Sequence, residues 1–269
     1  LAPMAHHFSW GLDDWSTLGA GTAVGHLLEC GAQVTGGYFA DPGHKEVPNL
    51  AHVGFPLAEV TADGGAVITK LEQSGGLVSQ RTVKEQLLYE VHDPNAYLTP
   101  DVSANFSQVH LTDDGQNRVR VGQANGAPRP EQLKVTVAFD GGFLAEGEIS
   151  YAGPGAAERA RLAGDIVAER MDGLHGSNAP IRIDLIGISA LHASAVAYPA
   201  TAQDVRLRCA MRASSEAEAE LLLWEVEALL CCGPAAGGGY RGHVTPSVMT
   251  YSAFVDRGDV QPHVEILST

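Results

Sequence analysis

The stretch DWSTLGAGTAVGHLLEC (Asp14–Cys30) decides between two folds. Gly19, Gly21 and Gly25 recur as in a dinucleotide-binding glycine fingerprint. Such a fingerprint needs a buried strand ending at the first glycine, with a helix beginning beyond it and its N–H groups aimed at pyrophosphate. The preceding residues, SWGLDDWST (Ser9–Thr17), are polar and acidic and do not read as a strand. The alternative is a helix running through the whole stretch, with the glycines inside it for close packing. Asp13 and Asp14 suit its N-terminus and Gly31 its C-terminal stop. This reading predicts a helix over Asp14–Cys30 and no dinucleotide site.

On that helix Thr22, His26, Glu29 and Gln33 fall at i, i+4, i+7 and i+11, one polar stripe among small and apolar residues. His26 and Glu29 are one turn apart, so the carboxylate can orient the imidazole as a general acid–base pair requires. The same two side chains are also two ligands of a metal site whose other ligands the spacing does not identify. A plain surface stripe with an incidental ion pair is the bland alternative. Glycine turns follow at Thr35-Gly36-Gly37 and at Gly75-Gly76, with Lys70 at the end of a strand between them. Gly-Gly turns expose backbone N–H groups, and a lysine beside them suits a carboxylate or phosphate, although the P-loop order is absent. Near the C-terminus Gly237–Gly242 (GGGYRG) reads as a glycine-rich loop on which Arg241 can grip a carboxylate in bidentate fashion. Each turn read singly is a tight connector. Cys30 lies at a helix C-terminus, where the dipole disfavours thiolate, and packing is the better reading.

Outward from the helix, Leu57–Val60 and Ala66–Lys70 form a hairpin, and a helix follows at about Thr82–Val91 with Thr82 and Glu85 spaced as a capping box. Phe106–Leu111 with Arg118–Val121, and Leu133–Phe139 with Phe143–Tyr151 around Asp140-Gly141-Gly142, read as two further hairpins. The loop Gln123–Arg129 is the best internal boundary. Beyond it the pattern gives a helix at Gly155–Met171, strands at Ile181–Ile188 and Val205–Met211, and a helix at Ser215–Leu230 capped by Ser215 with Glu218. Strands at Ser247–Val255 and His263–Leu267 close the chain. Strand pairs alternating with single helices imply a sheet with helices on one face.

Composition sets the class. The 269 residues carry 17 basic against 32 acidic side chains, a net charge of −15, which repels phosphate backbones and anionic membranes. No apolar run is long enough to span a bilayer. Four cysteines without a C-x-x-C pair fit a reduced cytosol. No G-x-S-x-G or H-E-x-x-H is present, so the familiar hydrolase and zinc-protease classes have no support.

Six blocks in order, HLLECGAQVTGG (His26–Gly37), GFPLAEV with ADG (Gly54–Gly64), Thr69-Lys70, GGLVS with TVKEQLLYE (Gly75–Glu90), DP-x-AYLTPDV (Asp93–Val102) and RVRV-x-x-x-x-G (Arg118–Gly126), resemble the acyclic terpene utilisation protein family. The likeness continues through Leu133–Val135 and Gly237–Pro246 and so covers nearly the whole chain. It implies a role in breaking down citronellol- and geraniol-type terpenes, where neighbouring steps act on acyl-CoA thioesters. It also implies a further α/β region upstream, which makes this chain a fragment, and it carries over no catalytic residues. The sequence departs from the family at Tyr38, where relatives have asparagine.

Together these readings predict an α/β protein, with α+β as the alternative: a mixed sheet with hairpins and helices packed on its face, in two subregions. Residues 1–122 are the end of the family's first α/β region, and 130–269 form a β-rich α+β region. The expected function is an enzyme of acyl-CoA or carboxylic-acid catabolism, of hydratase or lyase type. His26 and Glu29 handle protons, and Thr35, Gly36, Gly37, Lys70, Gly75, Gly76 and Arg241 bind substrate. No metal is assigned, and the cofactor is left open. The expected partner is a small-molecule acid or acyl-CoA, with no nucleic acid and no membrane, in a cytoplasmic protein with homo-oligomerisation open. The alternative is a non-catalytic binding or scaffolding subunit of a catabolic enzyme complex.

Overall fold

A computed structural model describes residues 1–191, 202–263 and 265. In chain order the elements are α1 (Ala2–Phe8), α2 (Trp15–Glu29), β1 (Leu57–Val60), β2 (Ala66–Thr69), α3 (Gln80–Leu88), β3 (Tyr97–Leu98), β4 (Ser103–Asn105), β5 (His110–Asp113), β6 (Val119–Gly122), β7 (Asn125–Ala127), β8 (Gln132–Ala152), α4 (Ala156–Gly173), β9 (Ile181–Ile186), β10 (Asp204–Ala213), α5 (Glu216–Cys232) and β11 (Gly237–Asp256). The described strands make three antiparallel sheets, ordered β1-β2-β6-β5, β3-β4-β7 and β11-β8-β10-β9. The α/β class is as the sequence pattern predicts. The chain divides into two compact units, Leu1–Lys134 with Phe254–Thr269, and Val135–Ala253.

In the first unit α2 is the buried element. Asp14 caps it through the Thr17 N–H, and it ends where Gly31 turns left-handed at φ 56. Its middle is enclosed on nearly every side, with Leu18, Ala20, Ala23, Val24 and Leu27 in the core. The glycines lie inside the helix, as the second reading requires. A Cβ on Gly19 would come within 2.2 Å of the Asn125 carbonyl oxygen, so β7 passes directly against the helix backbone. On a neighbouring face the Gly64 turn of the β1–β2 hairpin touches Ala20. Leu18, Ala23 and Leu27 share one apolar cluster with Ile68 of β2, Val83 of α3, Val121 of β6, and Val102 and Phe106 on either side of β4.

The second unit is a sheet with two helices on one face. Val205, Leu207, Cys209 and Met211 alternate along β10 toward Ala160, Ala163 and Val167 of α4 and Leu222 and Val226 of α5. The intervening Arg206 and Arg208 pair with Glu148, Glu146 and Asp184, which keeps the other face polar. Between the helices Glu225 is buried, and it accepts hydrogen bonds from Arg170 and His175.

Several expectations need correction. The hairpin at Asp140-Gly141-Gly142 does not form, because β8 runs unbroken through it. Gly142 sits at φ 69 where a side chain would strike the Ala213 carbonyl oxygen at 2.3 Å, so these glycines serve close approach inside a strand, not a turn. Gly237–Gly242 likewise opens β11 in place of a loop, with Gly237 passing over the buried Tyr151 ring. The helix expected from Thr82 begins at Gln80 with Ser79 as its cap, and the capping box joins Ser79 to Thr82, not Thr82 to Glu85. Of the strand expected at Phe106–Leu111, only His110 and Leu111 lie in one, β5, and residues 106–109 form the turn that joins β4 to it. Asn125–Ala127, read as loop, pairs with β4 as β7. The expected strand His263–Leu267 lies, apart from His263 and Glu265, outside the described residues.

Burial raises the Glu225 carboxyl, but the hydrogen bonds from Arg170 and His175 outweigh it and hold the group below the usual carboxylate range. A depressed folded value stabilises the protein above the unfolded carboxylate value of about 4.3. That contribution disappears as pH falls through the lower folded value. Glu225→Gln is therefore expected to cost about 2–3 kcal/mol at neutral pH, read from denaturant melts. The difference from the parent protein should close in acid, and a pH-independent gap would contradict the assignment.

Candidate functional site

The last turn of α2 presents His26 inward. Its side chain is 1% exposed, and its ring stacks on Phe106 with centroids 5.6 Å apart and lies 5.3 Å from the Tyr97 ring. His26 Nδ1 is 2.6 Å from the Glu29 carboxylate, whose side chain is half-exposed. A carboxylate only accepts, so this contact calls for a proton on Nδ1, and in the neutral ring the lone pair is then on Nε2. Nε2 is enclosed and has no hydrogen-bond partner among the described residues. The backbone here is also fixed: Gln86 of α3 donates from Nε2 to the His26 carbonyl oxygen at 2.9 Å, filling one of the acceptors a helix end leaves open.

His26 and Glu29 line a cavity of about 340 Å³ together with Leu1, Thr22, Gly25, Tyr97, Thr99 and Asp101. Tyr97 reaches it from β3, which is held by β4, and β4 in turn packs on α2 through β7. Burial, then the negative charge of Glu29, pushes the Tyr97 phenol above its ordinary value. It stays protonated at neutral pH and is an O–H donor on the cavity wall. The Thr22 hydroxyl is spent on the Leu18 carbonyl oxygen and Thr99 on that of Val102.

The remaining candidates fall elsewhere. Gln33 is not on the helical stripe, because α2 stops at Glu29, but it is buried just beyond it. Thr35 is buried and donates to the Gly54 carbonyl oxygen at 2.6 Å. The N–H groups of Gly36, Gly37, Gly75 and Gly76 donate to the carbonyls of Gln33, Ala32, His52 and Pro48. The two glycine turns do meet, since Leu77 N–H donates to the Thr35 carbonyl oxygen and Gly76 lies against the same group. Lys70 donates to the carbonyl oxygens of Ser74 at 2.7 Å and Leu71 at 3.2 Å. None of these residues lines the His26 cavity. Arg241 is on β11 of the second unit, exposed, with no hydrogen bond or ion pair among the described residues. Tyr38 stands at φ 58 with 84% exposure, a left-handed position that asparagine adopts more readily than tyrosine.

Tyr97, Thr99 and Asp101 are the polar cavity residues that spacing did not single out. Their signal was the block DP-x-AYLTPDV, which carries all three. No group of three His, Cys, Asp or Glu side chains among the described residues is placed to hold a metal ion. No helix there is long and apolar enough to cross a membrane.

A buried helix thus brings an imidazole–carboxylate pair to the lining of the same cavity as a phenol. The family model described as acyclic terpene utilisation family protein AtuA matches residues 1–266, and the chain belongs to that family. No curated protein and no solved structure matches it.

Tyr97 is expected to deprotonate above the ordinary tyrosine range, with Tyr97→Phe identifying its signal in a spectrophotometric titration. Glu29→Gln should move the transition part of the way back, since burial is the larger cause. A titration indifferent to Glu29→Gln would place the carboxylate away from the phenol.

Proposed function

We propose that this chain supplies the acid–base centre of an enzyme of acyl-CoA or carboxylic-acid catabolism, of the hydratase or lyase type. One observation carries the reading: His26, which lines a cavity of about 340 Å³, is tied to Glu29 through Nδ1 at 2.6 Å, while its buried Nε2 has no partner among the described residues. A base for such chemistry needs an available lone pair and a fixed ring, and a carboxylate behind the imidazole supplies both conditions. In this reading Nε2 takes the proton next to the substrate carbonyl and returns it in the reverse direction. The Tyr97 O–H donates to the carbonyl oxygen as negative charge develops there. Glu29 is the positioning residue, and it stabilises the imidazolium while the proton is held. Oxygen binding is assigned to Tyr97 in preference to Lys70, whose ammonium group is already bonded to two carbonyls of its own turn.

Membership of the acyclic terpene utilisation family supports a catabolic role. A scaffold subunit has no use for a buried imidazole nitrogen without a partner, and desolvating one without a function costs about 1–3 kcal/mol.

The test is growth on citronellic acid of a deletion strain complemented with the full-length protein, with the accumulating acyl compound identified by mass spectrometry. Glu29→Gln, at a half-exposed position, and His26→Gln are both expected to fold. Loss of His26 should slow the step about 100-fold or more. Glu29→Gln should give a partial loss with a shifted pH profile. Unchanged growth with either variant at normal protein level rejects the dyad as catalytic.

A further inference from the structure

The second unit contains a segment that lacks the neighbours its composition requires. β8 pairs with β10 only from Phe143 onward, so Val135–Gly142 has β11 as its sole sheet neighbour among the described residues. β11 is itself the edge of that sheet. Gly141 packs against Ser247 and Met249, and the Phe139 and Tyr251 rings meet edge to face at 5.4 Å. Residues 135–142 and 247–253 therefore form a two-stranded ribbon. Two strands alone are marginal in water, and stability comes from a third strand or a packed face. Here Val135, Phe139, Val248 and Tyr251 are all exposed, the last two at 67% and 59% and on opposite faces by the alternation of a strand.

Natural edge strands are normally protected by lysines, inward charges or proline. Asp140 is the one charged side chain of this ribbon, and Pro246 blunts one end only. In a chain of net charge −15, the ribbon is a long surface with almost no charge.

We propose that the ribbon is a self-association surface, on which β11 of two copies pair edge to edge, antiparallel about a two-fold axis, to make one continuous sheet. The charge argues for a second copy over a foreign partner. Two acidic chains repel each other except where acid is absent, and the ribbon is such a place. A basic partner would be drawn to the acidic faces instead. Antiparallel pairing of a strand with its own copy is also self-complementary, so the backbone groups of both edges are satisfied by one two-fold interface.

Sedimentation velocity and light scattering on the intact chain test this, with Val248→Lys/Tyr251→Lys as the variant and circular dichroism as the fold control. Both substituted side chains are exposed, so the variant is expected to fold as the parent does. The parent should be dimeric at micromolar concentration. The variant should dissociate about tenfold more readily or more. Added salt should strengthen the parent dimer, because it screens the repulsion between two acidic chains. A parent that stays monomeric up to about 100 µM, or a variant that dimerises as tightly as the parent, overturns the proposal. The His26 and Glu29 variants leave the ribbon untouched and should dimerise normally, so this result is independent of the catalytic one.

Discussion

The first unit depends on one close approach, the backbone of β7 lying directly on the backbone of α2 at Gly19. A side chain there would overlap the Asn125 carbonyl, and Gly126 is pressed against the Trp15 carbonyl oxygen from the other side. This contact brings the small β3-β4-β7 sheet onto the helix, and with it Tyr97 and Phe106 onto His26. A glycine inside a helix sacrifices about 1 kcal/mol of helix propensity. The return is a helix enclosed on several sides, whose last turn delivers a polar side chain into the interior. The same packing thus builds the core of this unit and encloses His26.

An imidazole enclosed in this way keeps its place only if its polar atoms are accounted for. Glu29 accounts for Nδ1 and Gln86 for the backbone carbonyl, while Nε2 is left over. The contrast with the neighbouring loops is instructive. At Thr35–Gly37, Lys70 and Gly75-Gly76 every donor named above is spent on a carbonyl within the protein. Those turns fasten the segment after α2 to the segment before α3, and so hold in place the two helices that Gln86 links. Hydrogen bonds made in the folded chain separate a fastening from a group still available for chemistry.

Much of the helical structure was legible because its signals are local. Ser215 caps α5 through the Glu218 N–H as its spacing implies, and Gly31 ends α2. The dyad was legible for the same reason, since residues three apart on a helix touch wherever the helix is placed. The strands were harder. Asp140-Gly141-Gly142 and Gly237–Gly242 carry turn residues but occupy strands, because their glycines answer the crowding of Ala213 and Tyr151, which are distant in sequence. Tyr97 could not be ranked for a related reason. It acts from a two-residue strand, and its meeting with His26 depends on a chain of pairings from β3 through β4 and β7 to α2. The later links of that path, β7 and α2, lie far from Tyr97 in the sequence.

The central claim is that Glu29 fixes the His26 proton on Nδ1 and leaves Nε2 as the proton acceptor. Long-range nitrogen–proton NMR correlation on labelled protein reads the two ring nitrogens separately. The account predicts that the neutral form of His26 carries its proton on Nδ1 with Nε2 bare, and that this preference is lost in Glu29→Gln. A proton resident on Nε2 in the parent protein would contradict it.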